Sequence, residues 1–222
     1  MEKQIISKRI LEILDDISRL TNALYAMDTT DIQRYPDNYE ILSSDAALQG
    51  EKIACRLRHL IYATTNIKKP DYLCAAGATH EIQIEYQNGI MEITLPCLLP
   101  KRKQRQSTEF LLDPFYFTLS KYSEDNPLPK YRHCVVCFSH VYSHDLPTRR
   151  IRDYDNLELK QILDVISAFI MIDDSGLLCD AYNTTELGVK DCTRISIMDK
   201  AIFPEWLTER KSSLESISDF GS

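Results

Sequence analysis

The central stretch of the chain reads Arg149-Arg150-Ile151-Arg152-Asp153-Tyr154-Asp155-Asn156. It places three arginines before two carboxylates that are separated by one residue. In an extended segment such a pair projects from one face, so both carboxylates could share an ion. Mg²⁺ commonly takes one or two carboxylates, with phosphate oxygens and water completing its shell. The stretch therefore predicts a metal site, and its arginines suit a phosphate-bearing substrate.

A second acidic group, Asp173-Asp174-Ser175-Gly176, follows the apolar run 169–172, where we expect a strand to meet a turn. Both groups also have ordinary structural explanations. Asp155, with Glu158 three residues on, resembles a capping box at the start of a helix over residues 156–166. The later group could simply turn the chain between strands. Their joint occurrence in this order favours the metal site.

The chain has Asp-x-Asp-Asn, then an apolar helix containing Leu163-Asp164, and then an apolar strand ending in Asp-Asp. This order resembles the core of the RusA family of Holliday junction resolvases. The resemblance extends upstream, because Met91-Glu92-Ile93-Thr94-Leu95-Pro96 is similar to that family's first strand, which ends in proline before a basic loop. A helix-like stretch at 108–122 and a strand at 133–142 precede the motif, and closing strands at 177–181 and 193–198 follow. The resemblance covers residues 80–200, and the motif carries most of its specificity.

The resemblance implies hydrolysis of DNA phosphodiesters by activated water at branched DNA, with Mg²⁺ or, as a substitute, Mn²⁺ as cofactor. It implies a homodimer, because a symmetric four-way junction needs two nicks. The implied catalytic and metal-binding carboxylates are those of Asp153, Asp155 and Asp174, with Asp173 as a neighbouring ligand.

The resemblance also implies a catalytic basic residue on the helix, and Lys160 is the candidate. Its charge would stabilise the transition state near the scissile phosphate. It lies five residues after Asp155, whereas the family pattern has four, and one residue turns a helical side chain by about 100°. Two alternatives follow. An extra residue before the helix could absorb the shift, or Glu158 faces the metal and Lys160 is solvated.

Two basic clusters flank the motif in the resemblance and are the predicted DNA contacts, although solvated loops are an alternative. The net charge is −7, but the acidic excess lies mainly in the flanking regions. The clusters comprise Lys101, Arg102, Lys103 and Arg105, and then Arg149, Arg150 and Arg152.

Composition predicts a soluble protein without a membrane span, since 27% of residues are charged and no long apolar run occurs. Seven cysteines, an odd number without framework spacing, favour a reducing compartment, so we expect a cytoplasmic location. Cys134-x-x-Cys137-x-x-His140-x-x-x-His144 has zinc-like spacing. It lies in a predicted strand, where residues three apart face opposite sides, so buried cysteines are the favoured interpretation.

The N-terminal third predicts a hairpin of two helices, the second over residues 38–65 with Gly50 as a weak point. Asn88-Gly89 predicts a type I′ turn in a β-hairpin over residues 81–95. The chain beyond Trp206 is predicted to be disordered. The expected apolar stripes are Ile6, Ile10, Ile13, Ile17, Leu20 and Leu24 on the first helix, and Tyr39, Leu42, Ala46, Ile53, Leu57 and Leu60 on the second.

We therefore predict an α+β protein with a mixed β-sheet and packed helices, resembling RusA resolvases and preceded by a helical hairpin. The expected organisation is a helical region at 1–75, a nuclease domain at 76–204 and a disordered tail at 205–222. The first predicted function is a Mg²⁺-dependent structure-specific endodeoxyribonuclease. The alternatives are a catalytically inactive DNA-binding accessory protein and a helical interaction protein.

Overall fold

The computed structural model describes residues 2–99, 108–145 and 151–218, and it divides the chain into the units Met1–Tyr72 and Leu73–Ser222. The first unit contains α1 (Glu2–Thr29) and α2 (Pro36–Thr64). In the turn between them, Asp31 Oδ1 accepts the backbone N–H groups of Gln33 and Arg34. Proline in the first turn of α2 costs no helical hydrogen bond. These features form the predicted helical hairpin.

Ion pairs between the two helices fix their antiparallel register. The buried carboxylate of Asp16 lies 2.8 Å from Lys52 Nζ and 2.7 Å from Arg56 Nη1. Arg56 also donates to the carbonyl of Glu12, 3.4 Å away, so later residues of α2 meet earlier residues of α1. Gly50 does not interrupt α2.

The structure corrects the single apolar stripe that was predicted on α1. Ile13 is buried, but Ile10, Ile17 and Leu24 are 42%, 40% and 49% exposed. The face toward α2 instead includes Asp16, which is 2% exposed. A prediction from hydrophobic residues alone cannot place a charged residue such as Asp16 in the interface between α1 and α2. The predicted stripe therefore follows a different row of α1. In α2, Leu57 is likewise exposed rather than part of the predicted face.

The second unit is built on a five-stranded mixed sheet, which confirms the predicted α+β class. The sheet order is β1-β2-β5-β3-β4; β3 and β4 run parallel, and the other neighbours are antiparallel. The strands are β1 (Gln83–Gln87), β2 (Ile90–Leu95), β3 (Cys134–Ser143), β4 (Cys179–Gly188) and β5 (Cys192–Asp199). Further helices in the described residues are α3 (Lys69–Thr79), α4 (Thr108–Asp125), α5 (Lys160–Ile170) and α6 (Phe203–Ser218), and residues Tyr154–Asn156 form a 3₁₀ turn.

The turn between β1 and β2 has the backbone that its sequence predicts. Asn88 and Gly89 have φ angles of 53° and 78°, and a type I′ turn requires positive φ at both central positions. Tyr131 Oη donates a hydrogen bond of 2.8 Å to the carbonyl of Gly89. The turn is therefore held by the second unit's core as well as by its own sequence.

Strand β3 is buried along its whole length and separates two apolar clusters. Cys134, together with Val136 and Phe138, packs in the larger cluster, which includes residues of α4 and α5. Cys137 packs in the smaller cluster, on the side of Trp206. Because Cys134 and Cys137 face opposite sides, they cannot share one zinc ion, as the strand alternation predicts.

The predicted helix over residues 156–166 begins later than expected. Leu157 is extended (φ −93°, ψ 144°) and 4% exposed, so burial of its side chain holds this residue out of the helix. Helix α5 starts at Lys160, and no side chain caps it. The capping box of Asp155 and Glu158 is therefore wrong, because both residues precede the helix.

Two further expectations are corrected after α5. The run 169–172 is not a strand, since α5 continues to Ile170 and only Met171 pairs, in one parallel bridge with Tyr131. The predicted disordered tail at 205–222 is helical in α6 as far as Ser218. Long-range contacts of Trp206 and Arg210 with the sheet, which no local pattern reveals, hold this helix.

Candidate functional site

The acidic stretch is anchored to the parallel strand pair β3–β4 at one edge of the sheet. The backbone N–H of Arg152 donates to Tyr142 Oη, 3.1 Å away on β3. The hydroxyl oxygens of Tyr154 and Thr185 are 3.1 Å apart, which links the stretch to β4. The Tyr154 ring also lies 5.6 Å from the ring of His140, tilted by 30°. Residues 152–154 are therefore held by side chains of both strands.

Asp153 and Asp155 lie on either side of this anchor in sequence, and both are exposed. Asp153 is extended (φ −66°, ψ 142°), whereas Asp155 belongs to the 3₁₀ turn. The two residues do not share one extended segment, so the predicted alternation that would aim both carboxylates to one face does not apply. Within the described residues, neither carboxylate has a hydrogen bond or an ion pair.

Asp173 and Asp174 are exposed in the connection between α5 and β4. Over residues 2–99, 108–145 and 151–218, no three His, Cys, Asp or Glu side chains form a group that could hold a metal ion. The described structure therefore does not preassemble the four predicted ligands.

Lys160 is the first residue of α5, and its side chain is 76% exposed. Its Nζ lies 2.9 Å and 3.1 Å from the two carboxylate oxygens of Asp164, one helical turn later. The hydrogen bond to Asp164 raises the pKa of Lys160, with smaller contributions from Asp174 and Glu158. Lys160 is thus a protonated surface residue. Glu158, the alternative metal-facing residue, is buried at 6% exposure.

Of the predicted DNA contacts, Arg152 is the one that the structure describes; it is half-buried, and its Nη1 lies 3.4 Å from the carbonyl oxygen of Leu99. Leu99 and Arg152 are two residues in sequence from Lys101 and Arg150. The contact between Arg152 and Leu99 therefore joins a member of the second basic cluster to a residue that lies two positions before the first cluster in sequence. The other predicted contacts lie outside the described residues: Lys101, Arg102, Lys103, Arg105, Arg149 and Arg150.

His140, the third residue of the zinc-like spacing, belongs to this site. It is 1% exposed, its Nε2 lies 3.4 Å from Asn183 Oδ1, and its Nδ1 has no hydrogen-bond partner in the described structure. Burial lowers the pKa of His140, which favours the neutral ring. The strand alternation that places His140 and Tyr142 on one face is the sequence signal that identifies it.

The opposite face of the sheet carries a polar cleft of about 430 Å³ that the sequence did not predict. Arg210 of α6 donates to Ser139 Oγ at 2.7 Å and to Thr184 Oγ1 at 3.3 Å, and it also binds Glu186. Arg194 binds the second carboxylate oxygen of Glu186 at 2.8 Å. This network attaches α6 to β3 and β4. The Arg210 guanidinium also lies over the ring of Trp206, one helical turn earlier, at 5.2 Å from the ring centroid.

A protein-family model matches residues 2–221 of the chain. The chain belongs to DUF6100, a family of unknown function. The DUF6100 match includes both the helical hairpin and the sheet unit. No curated protein matches the chain. Among the described residues, no helix is long and apolar enough to cross a membrane.

Proposed function

We propose that this DUF6100 protein is a metal-dependent, structure-specific endodeoxyribonuclease that hydrolyses phosphodiesters in branched DNA. The observation that carries the proposal is the anchored acidic stretch. Tyr154 is held by both strands of the parallel pair, while Asp153 and Asp155 beside it are exposed. Two carboxylates that bind a metal ion need a fixed backbone and must be accessible to the ion. The order of the acidic groups, which resembles RusA resolvases, suggests the reaction.

The proposed cofactor is Mg²⁺, with Mn²⁺ as a substitute. The donor set fits an ion completed by substrate rather than a protein cage, because Mg²⁺ often takes one or two carboxylates and phosphate oxygens. Asp153 and Asp155 would supply that pair, with Asp174 and Asp173 as further candidate ligands. A bound ion would activate water and stabilise charge on the phosphorus oxygens.

The proposed substrate contacts are the two basic clusters; Arg152 of the second cluster contacts Leu99, which lies two residues before the first cluster in sequence. Their charges would neutralise DNA phosphates, so binding should weaken steeply with added salt. We place the reaction in the cytoplasm, in keeping with the free cysteines of the described structure. A homodimer would supply the two sites that a symmetric junction requires.

A second candidate is a DNA-binding accessory protein without nuclease activity. Two observations favour it: Lys160 is paired with Asp164, and the described residues contain no group of three potential metal ligands. It predicts binding of branched DNA without nicking. The exposed apolar residues of α1 favour a third, a helical interaction protein.

The test compares cleavage of a synthetic four-way junction and a matched linear duplex, with Mg²⁺ and with a chelator. Asp155→Asn is the test variant, and Asp45→Asn, an exposed aspartate of the hairpin, is the control. Metal-dependent nicking that is lost only in Asp155→Asn supports the nuclease. Junction binding without nicking supports the second candidate, and neither binding nor nicking rejects both.

A further inference from the structure

Helix α1 carries a second row of side chains, which we name the outer seam. Its positions alternate in spacing between four and three residues, which is the heptad pattern of a helix that packs against another helix. At about 1.5 Å per residue the row is about 38 Å long. The outer seam consists of Lys3, Ser7, Ile10, Leu14, Ile17, Thr21, Leu24 and Asp28.

The outer seam is distinct from the side of α1 that packs on α2. At about 100° per residue, the outer seam lies about 100° around the helix from the buried side marked by Ile13 and Asp16. Two apolar rows at such an angle are typical of a helix in a bundle, where each helix contacts two neighbours. Helix α2 covers only one of these rows.

The middle of the outer seam is apolar and exposed. Ile10, Leu14, Ile17 and Leu24 are 42%, 52%, 40% and 49% exposed. Single exposed aliphatic side chains are common on protein surfaces, but a row of three successive ones, followed beyond Thr21 by Leu24, marks an interaction site.

The two ends of the outer seam carry opposite charges, with Lys3 at one end and Asp28 at the other. If a second α1 packed in parallel, each end would meet the same charge. If it packed antiparallel, Lys3 of each copy would approach Asp28 of the other. The charges therefore complement a second copy of the same helix in the antiparallel orientation.

We propose that two copies of this chain associate through their outer seams, with the two α1 helices antiparallel. The contact is isologous, because the same row contributes from both copies. Two helical hairpins joined in this way make a four-helix bundle. The proposal goes beyond the nuclease assignment and does not depend on it.

The first test measures the mass of the full chain by sedimentation velocity at micromolar concentration. The unmodified 25.7 kDa chain should sediment as a dimer. Ile17→Glu should sediment as a monomer, because it places two carboxylates near the centre of an apolar contact. Leu11→Glu is the matched control; Leu11 is 62% exposed, lies on the same helix about 100° from the outer seam, and should leave the dimer intact.

Circular dichroism of each variant verifies that the helices remain folded. A monomeric unmodified chain overturns the proposal. A dimer that survives Ile17→Glu, or that is lost equally with Leu11→Glu, also overturns it.

Charge exchange tests the orientation independently of the apolar row. Lys3→Glu and Asp28→Lys should each weaken the dimer by about five-fold, since each places like charges at both ends of an antiparallel pair. The double variant restores opposite charges and should recover the unmodified affinity. Recovery supports the antiparallel contact. Failure to recover, with both single variants weakened, rejects it.

Discussion

The hydroxyl groups of Tyr154 and Thr185 lie 3.1 Å apart and connect the acidic stretch to strand β4. Thr185 is the register partner of His140 on β3, and the His140 ring contacts the Tyr154 ring. One tyrosine between two exposed aspartates therefore touches both strands of the parallel pair. The position of the carboxylates depends on this side chain.

Tyr154→Phe removes the hydroxyl contact and keeps the ring contact with His140. We expect junction cleavage to fall several-fold, while the free energy of unfolding changes by no more than about 1 kcal/mol, the usual value of one hydrogen bond. Cleavage assays and chemical denaturation measure the two effects. Tyr116→Phe, at another half-exposed tyrosine, is the control; equal cleavage losses in both variants would contradict a special role for Tyr154.

Asp153→Asn, Asp155→Asn and Asp174→Asn should each abolish metal-dependent nicking. All three residues are exposed, so the variants should unfold within about 0.5 kcal/mol of the unmodified protein. Nicking of the four-way junction and thermal unfolding test both statements. Retained cleavage by all three variants would falsify the proposed site.

Stability of the hairpin should depend on pH through Asp16. Its hydrogen bond with Lys52, followed by the charges of Arg56 and Lys52, lowers the pKa of Asp16 below its ordinary value, against the opposing effect of burial. A lowered folded-state pKa stabilises the protein above the unfolded pKa of about 4, and the stabilisation is lost as pH falls through the folded value.

Thermal unfolding followed by circular dichroism between neutral pH and about pH 2.5 should therefore be less pH-dependent in Asp16→Asn. Asp15→Asn is the control, because Asp15 is 60% exposed and pairs with Arg19 on the surface. An identical pH profile for Asp16→Asn and the unmodified protein would show that Asp16 does not contribute.

Gly77→Ala should destabilise the second unit. An added Cβ would collide with Thr118 Oγ1 and would lie 3.3 Å from the carbonyl oxygen of Pro114. Thr118 cannot easily move, since its hydroxyl donates to that carbonyl at 2.7 Å. Overpacking of this kind costs about 1–3 kcal/mol.

Chemical denaturation measures this cost, and Gly50→Ala is the matched control. Nothing lies within 4 Å of a Cβ at Gly50, and alanine is favoured over glycine within a helix by up to about 1 kcal/mol. A neutral Gly77→Ala would mean that α3 and α4 have room to separate.

Arg210→Ala should lower the free energy of unfolding by about 1–3 kcal/mol, because Ser139 and Glu186 would lose a donor in a mostly buried network. The same variant should leave the dimer mass unchanged. Denaturation and sedimentation velocity test these outcomes. Unchanged stability would mean that α6 contributes little to the fold.

Local sequence signals predicted those elements whose geometry is decided locally. Asn88-Gly89 predicted the turn between β1 and β2 because both positions need positive φ. The β-branched and aromatic run through Cys134 and Cys137 predicted β3, and the alternation of side chains along a strand predicted the opposite directions of the two thiols. These predictions needed no knowledge of distant residues.

The errors arose where distant contacts override local preference. Burial of Leu157 delays α5, and the contacts of Arg210 with Ser139 and Glu186 order a segment that was predicted to be disordered. For the site, the sequence identified Asp153 and Asp155 as candidate metal ligands, and the structure shows that both are exposed. It could not predict that Tyr154 would anchor them, because Thr185 lies thirty-one residues away.

The parallel pairing of β3 with β4 has a consequence for the order of folding. The acidic stretch and α5 lie within the connection that joins Ser143 to Cys179, so the two strands can meet only after a long loop closes. Closing such a loop costs chain entropy before any strand contact compensates for it, whereas the two-residue turn joining β1 to β2 closes readily. Since Tyr142 and Thr185 hold the acidic stretch, it should reach its native geometry among the last parts of the protein to fold.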